Sequence, residues 1–319
     1  MLQKLSLRGL LASASSLLTQ SPLSLDRVNA RVAGDLAGGF RGPAAAATYD
    51  EPAVVPYVPL SGGPSCPIDG PTSCRNNTPA VDACCFLHPG GRVLLTQFWD
   101  SNVHAGGVEK DWTLHGLWPD NCDGSYDQFC YMAPRFDDIP QVLRQHGQDE
   151  LLAFMDRYWV ADRGSNAHLW AHEYNKHATC MNTLVPACYG AGYRAGVEVV
   201  DYFVRATSLF GQLDTYTALA RADIRPSTVR RYPLVDVQAA LERLSGGRVV
   251  LRCTGPRRDT LHEVWYVYFV QGSVQTGVFV PATSLGREGA AGNCVPWVRY
   301  MPKNGRSRST ITSSSDGGG

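Results

Sequence analysis

Ten cysteines, all lying between Cys66 and Cys294 of a 319-residue chain, are the strongest single constraint on how it can fold. They form an even set with no Cys-x-x-Cys pair of the zinc-ribbon or thioredoxin kind, so they read as a disulfide framework. Buried free thiols in a reducing compartment are the competing reading. Confinement of the cysteines to one region favours an oxidised, exported protein. Cys84 and Cys85 are adjacent and poorly placed to bridge each other, so they should tie one point of the chain to two separate places. The spacing alone leaves the pairing open.

Outside that region the chain changes character. Residues 1–20 carry Lys4 and Arg8 ahead of a short apolar stretch broken by serines, which reads as a signal peptide. A mitochondrial-type presequence is the alternative, since acidic residues are absent until Asp26, and the cysteines tip the balance toward secretion. Residues 21–64 are rich in Ala, Gly and Pro without sustained periodicity and read as a flexible leader or propeptide. Residues 303–319 are polar and aperiodic and read as a disordered tail. The folded, chemistry-bearing domain is therefore expected over residues 65–302, with an Asn-x-Thr glycosylation signal at Asn76.

Twenty-nine basic residues balance 29 acidic ones, so there is no whole-chain field of the kind that grips long nucleic acid tightly. Any nucleic acid partner should be a substrate and not a resident ligand. No apolar run approaches the roughly 20 residues that span a bilayer, so no membrane association is expected. The segment 92–99 (RVLLTQFW) follows the Gly90-Gly91 turn signal and reads as a buried strand. Helical spacing of apolar residues predicts helices over 151–159, 168–179, 197–209 and 235–244. Strands are predicted over 248–253, 263–270 and 274–280, the last two as a hairpin around Gln271-Gly272. Helices segregated between groups of strands give an α+β fold, an antiparallel β-sheet with several flanking helices.

Two segments carry the chemistry: Trp112 to Asp120 (WTLHGLWPD) and His168 to Cys180 (HLWAHEYNKHATC). In the second, Glu173 and His177 are four residues apart, as are His172 and Lys176, so each pair lies about 40° apart on a helix surface. His-Glu also begins the zinc-protease signature. That signature needs histidines four apart, whereas His172 and His177 are five apart, about 140° around an ideal helix, and Lys176 would add a positive charge beside the metal. Standing alone, the segment would read as a solvated charged helix. The first segment changes that by supplying His115, with Gly116 and Pro119 fixing the local backbone and Trp118 offering a flat apolar surface. Two histidines serve as base and acid in one turnover, and Lys176 with a protonated His172 stabilises charge developing on a phosphoryl group. Glu173 would hold a histidine cationic or hydrogen-bond a protonated intermediate. Trp118 and Tyr126, with Asp120 as acceptor, suit base stacking and reading, although Tyr126 reads equally as a packed or disulfide-loop residue.

Together with the cysteine layout, Thr113 to Pro119 and the set Trp170, His172, Glu173, Lys176, His177, Thr179 and Cys180 closely resemble the two active-site motifs of the T-two family of acid ribonucleases, of the fungal T-two and Rh type. The resemblance spans about Cys66 to Cys294. It implies an α+β fold and a secreted endoribonuclease, with a vacuole or other acidic compartment as the alternative destination. The reaction implied is cleavage of single-stranded RNA through a 2′,3′-cyclic phosphate with low base specificity. His115 and His177 would form the acid–base pair, with His177 the base; His172 would bind phosphate, and Glu173 with Lys176 would stabilise the pentacoordinate state. Trp118, Asp120 and Tyr126 would form the primary base site, and Gln97 would belong to the second.

The bridges implied are Cys66 to Cys85, Cys74 to Cys122, Cys84 to Cys188, Cys130 to Cys180, and Cys253 to Cys294. No metal and no cofactor are expected, no DNA cleavage, and a monomeric state. Three positions depart from the family pattern: Tyr174 replaces Trp, Ala178 replaces Gly beside His177, and Leu169 stands where an aromatic residue is common. A catalytically silent secreted binding or cytotoxic protein on the same scaffold is the competing function, since fold does not fix activity.

Overall fold

The apolar run after Gly90-Gly91 becomes the central strand β1 (Arg92–Phe98), buried along nearly its whole length. In the computed structural model, residues 63–67, 69–75, 82–101, 110–284 and 292–303 are described, all in the unit Asp50–Gly319. The expected signal peptide, nearly all of the leader, Asn76 and the tail beyond Lys303 lie outside the described residues. Lys303 itself belongs to the fold, with its ammonium donating to the Asp111 carbonyl.

β1 pairs antiparallel with β2 (Thr113–Asp120) on one side and β5 (Thr260–Gln271) on the other. β4 (Val249–Thr254) and β6 (Val278–Pro281) both pair with β5, and a separate two-residue ladder joins β3 (Tyr232–Pro233) to β7 (Trp297–Val298). The 274–280 expectation shortens to β6, because residues 272–277 form the hairpin connection. There, Gly272 takes φ 88° and a Cβ at Gly277 would strike the carbonyls of Gln271 and Ser273.

Among the described residues six α-helices flank the sheet: α1 (Ile139–Gln145), α2 (Asp149–Tyr158), α3 (Asn166–Lys176), α4 (Val197–Gly211), α5 (Thr215–Arg221) and α6 (Leu234–Ser245). α1 and α5 were not anticipated; each is only seven residues long, and Asp138 or Asp214 caps its N-terminus by accepting a backbone N–H. α4 is buried on almost every side, with Glu198 and Asp201 buried along with its apolar residues.

Side-chain alternation assigns the two sheet faces. Val93, Leu95 and Gln97 share a face with Leu114, Leu117, Val264, Tyr266 and Tyr268, and the apolar members of this set join α2, α3 and α4 in the main core. Leu94, Thr96 and Phe98 lie on the other face with Gly116, Trp118, Glu263, Trp265 and Val267. Five disulfides tie this frame together: Cys66–Cys85, Cys74–Cys122, Cys84–Cys188, Cys130–Cys180 and Cys253–Cys294. The Cys84-Cys85 pair thus reaches two different partners. Sequence separations of 19 to 104 residues make each bond worth on the order of 3–5 kcal/mol in a chain-entropy model. Among the described residues, no helix is long and apolar enough to cross a membrane.

Inside α4, Asp201 accepts a hydrogen bond from the Tyr189 hydroxyl at 2.9 Å, and burial pushes its carboxyl up to about 7 against the lowering pull of Tyr189 and Arg205. Its folded value lies above its unfolded one, so the stability it contributes is complete below about pH 4 and is lost as pH rises toward 7. Asp201→Asn cannot titrate. Its stability relative to wild type, measured by urea unfolding, should therefore improve by on the order of 2–4 kcal/mol between pH 4 and pH 7. A difference independent of pH would show that the fold does not hold this proton.

Candidate active site

β2 carries a β-bulge. Thr96 pairs with Gly116 and Gln97 with Leu114, which leaves His115 as the extra residue between them. A bulge re-aims one side chain without moving the strand, and here it lets Leu114 and Leu117 both enter the core while His115 turns to the rim. Two indoles fix its backbone. Trp159 donates to the His115 carbonyl at 2.8 Å, and Trp170 donates to the Trp159 carbonyl at 2.8 Å. The imidazole lies flat on Phe98, with ring centroids 3.9 Å apart. Its Nδ1 is 2.6 Å from Glu263 Oε1, so with Glu263 as acceptor Nε2 is the nitrogen left facing Glu173, 3.6 Å away.

The second segment is helical only in part. Ser165 caps α3 by accepting the His168 N–H, and the helix ends at Lys176 instead of running to Thr179. His177 is the C-cap, and a short 3-10 turn from Ala178 leads to Cys180, bonded to Cys130. His177 keeps its helical spacing to Glu173, with Nε2 3.8 Å from Glu173 Oε2. Both imidazole Nε2 atoms therefore converge on one carboxylate, which also accepts the Trp118 indole N–H at 2.7 Å. Lys176 is half-buried and His172 exposed on the same helix, both close enough to act electrostatically on His177.

Burial and charge set the protonation states. Burial first, then the positive charges of Lys176, His115 and His172, push the His177 imidazole down to about 2, so it is neutral at any ordinary pH. Its Nε2 is buried without a hydrogen-bond partner among the described residues. Glu173 is pushed above the usual carboxylate range by burial, despite the opposing pull of His115, Trp118 and Lys176. His172 is lowered by burial and then by Lys176, so the free protein resists the protonated form expected from sequence; an arriving phosphate offsets that repulsion.

The ribonuclease T2 family model matches residues 90–282. The chain belongs to the ribonuclease T2 family. It is 42% identical to ribonuclease T2 of Aspergillus oryzae over 75% of this chain and 84% of that protein. It is also 43% identical to ribonuclease Trv of Hypocrea rufa, over 75% of this chain and 98% of the other. A ribonuclease T2-like protein of Aspergillus fumigatus is longer, and the match covers 58% of it at 44% identity. Among solved structures, that of Actibind, a T2 ribonuclease, superposes with a TM-score of 0.69 at 38% identity, covering 75% of this chain and 98% of that one. Family membership supports ribonuclease activity.

Within this T2-family site the base-reading candidates separate. Trp118 stacks on His177 with centroids 5.0 Å apart and also meets Trp265 edge-on, so it packs within the His115, Glu173 and His177 cluster. Asp120 is buried, and desolvation raises its carboxyl to about 7 against the pull of Arg92. At mildly acidic pH it carries a proton and can donate, instead of serving only as the expected acceptor. Tyr126 bridges Asp120 through the backbone and is 62% exposed, open to a stacking base.

Gln97 corrects the sequence expectation. Strand parity points it into the core, where its amide donates to the Leu213 carbonyl and accepts from Thr215, so it does not reach a base. Tyr174 and Ala178 are fully buried core residues, and Leu169 packs against the same core. No three His, Cys, Asp or Glu side chains form a metal-binding group among the described residues.

Glu263 and Trp159 are the site residues that sequence reading missed. Glu263 left a signal, as the lone carboxylate in the apolar run 261–270. Glu263→Gln keeps the shape but lets the amide donate or accept, which loosens the choice of His115 tautomer. Its kcat should fall roughly 10- to 100-fold with little change in KM, since general acid–base catalysis contributes about 10²–10⁴-fold and this substitution misaligns one partner. Steady-state kinetics on RNA check this; an unchanged kcat removes Glu263 from the machinery.

Proposed function

We propose that the protein is an endoribonuclease that cleaves single-stranded RNA by attack of the 2′-hydroxyl on the adjacent phosphorus, without a metal ion. The observation that carries this reading is the convergence of the His115 and His177 Nε2 atoms on Glu173. His177, neutral and with an unpartnered Nε2, takes the 2′-hydroxyl proton as the 2′-oxygen bonds to phosphorus. His115, oriented by Glu263, delivers a proton to the departing 5′-oxygen, leaving a 2′,3′-cyclic phosphate.

Lys176 and His172 hold the phosphate, and their charge counts for more as negative charge grows on the phosphoryl oxygens. Glu173, with its raised carboxyl, hydrogen-bonds the pentacoordinate state. Tyr126 stacks on a base and Asp120 reads its edge, beside Trp118. Five disulfides support folding in an oxidising compartment, consistent with a secreted monomer or with delivery to an acidic vacuole. We take residues 65–302 as the catalytic domain.

The decisive test incubates disulfide-intact protein with single-stranded RNA and its all-DNA counterpart, with and without EDTA. RNA-only, EDTA-resistant cleavage to 2′,3′-cyclic ends is expected. His115→Ala and His177→Ala should each lower kcat by roughly 10²–10⁴-fold. No cleavage by the wild type would instead favour a catalytically silent binding protein. Activity should be greatest at mildly acidic pH and decline toward pH 9, because the acid imidazole must begin protonated and His172 must gain a proton that its cationic neighbours oppose. A pH–rate profile rising throughout from pH 5 to 9 would contradict these roles.

A further inference from the structure

Beside His172 the chain displays aromatic surface that the core does not use. Phe129 is 41% exposed and Tyr131 is 89% exposed, although they flank Cys130, which is bonded to the buried Cys180. Three contacts hold this loop in place. The Phe129 N–H donates to the Lys176 carbonyl at 2.9 Å, Cys130 is bonded to Cys180, and the Arg135 guanidinium donates to the Phe129 carbonyl. Phe129 is kept at φ +51°, a left-handed conformation that bulky residues disfavour. Its ring meets His172 edge-on at 6.0 Å. The Arg135 guanidinium lies 4.6 Å from the Tyr131 ring centroid and 5.8 Å from that of Phe129. Arg135 is itself exposed and forms no ion pair among the described residues.

We propose that Phe129, Tyr131 and Arg135 form a subsite for single-stranded RNA beyond the nucleotides at the cleaved phosphodiester. Two exposed aromatic faces with a cation beside them match the alternation of base and phosphate along a strand. Stacking on such faces tolerates any base, and the guanidinium can meet a phosphate while remaining against an aromatic ring. Position supplies the continuity: Phe129 adjoins His172 and its N–H donates to the Lys176 carbonyl, so a strand whose phosphate is held by His172 and Lys176 passes directly onto the loop. Phe129, Tyr131 and Arg135 are distinct from Trp118, Asp120 and Tyr126, to which base reading is assigned above. An apolar protein partner fits it less well, because the cations continue from the phosphate-binding residues.

This inference rests on the ribonuclease reading for the direction of the strand, but its test does not need catalysis. A 2′-O-methyl hexanucleotide and a 2′-O-methyl dinucleotide lack the attacking hydroxyl, and their binding is read by fluorescence anisotropy on the full chain. Wild type should prefer the hexanucleotide. Tyr131→Ala, a change at an exposed ring that leaves the core intact, should weaken hexanucleotide binding about tenfold and reduce its ratio to dinucleotide binding by the same factor. Phe129→Ala and Arg135→Ala should act in the same direction, and Tyr131→Phe should restore the preference. Equal affinity of wild type and Tyr131→Ala for the hexanucleotide, or no preference for length in wild type, would overturn the subsite. A wild type that binds the hexanucleotide with this pattern yet leaves natural RNA uncut would overturn the ribonuclease reading alone.

Discussion

A carboxylate with almost no access to water, Glu173, sits where β2 and α3 meet, and the site is built around making that position tolerable. Gly116 supplies the room: a Cβ there would collide with Glu173 Oε2 and with Trp118 Nε1. Trp118 supplies a donor at 2.7 Å, and the two imidazoles supply polar neighbours just beyond hydrogen-bond distance. Burying such a group is costly unless it is hydrogen-bonded or protonated; burial raises its carboxyl, and Trp118 donates a hydrogen bond to it. The same burial that strains the carboxylate lowers His177. One desolvated volume thus raises a carboxyl and lowers an imidazole.

Rigidity around that volume comes from groups that do no chemistry. Trp170 and Trp159 form a two-step relay of indole hydrogen bonds ending on the His115 carbonyl, and the sheet bulge sets where that carbonyl lies. Cys130–Cys180 closes the chain immediately after His177. His115 and His177 are therefore each held through the backbone by a regular element, and the geometry of a site is most reproducible when built that way. Phe98 and Trp118 then support the rings themselves, each stacked against one imidazole.

Electrostatic opposition runs through the whole arrangement. His172, Lys176 and His177 lie along a single stretch of chain, and after burial the charge of Lys176 is the strongest influence lowering both imidazoles. This arrangement is unfavourable in the free protein and is relieved by an anion. A phosphodiester would supply that relief, and in the reaction proposed above its growing charge would make the relief largest in the transition state.

Much of this was already legible in the residues. The periodicities of 92–99, 197–209 and 235–244 mark elements within a few residues of their observed ends, because long apolar runs have one way to be buried. The grouping of His172, Glu173, Lys176 and His177 follows from helical spacing, and their alliance with His115 from the resemblance of two motifs. What sequence did not decide is everything that depends on which face of a strand meets which neighbour. Gln97 lies one residue from the active-site face, and alternation alone sends it into the core. Glu263 is 148 positions from His115 and reaches it only because β5 and β2 flank the same strand, with a bulge turning the histidine toward the rim. Local periodicity is encoded in neighbours along the chain; the Glu263 partner of His115, and the lowering that burial imposes on His177, exist only once distant segments have been packed together.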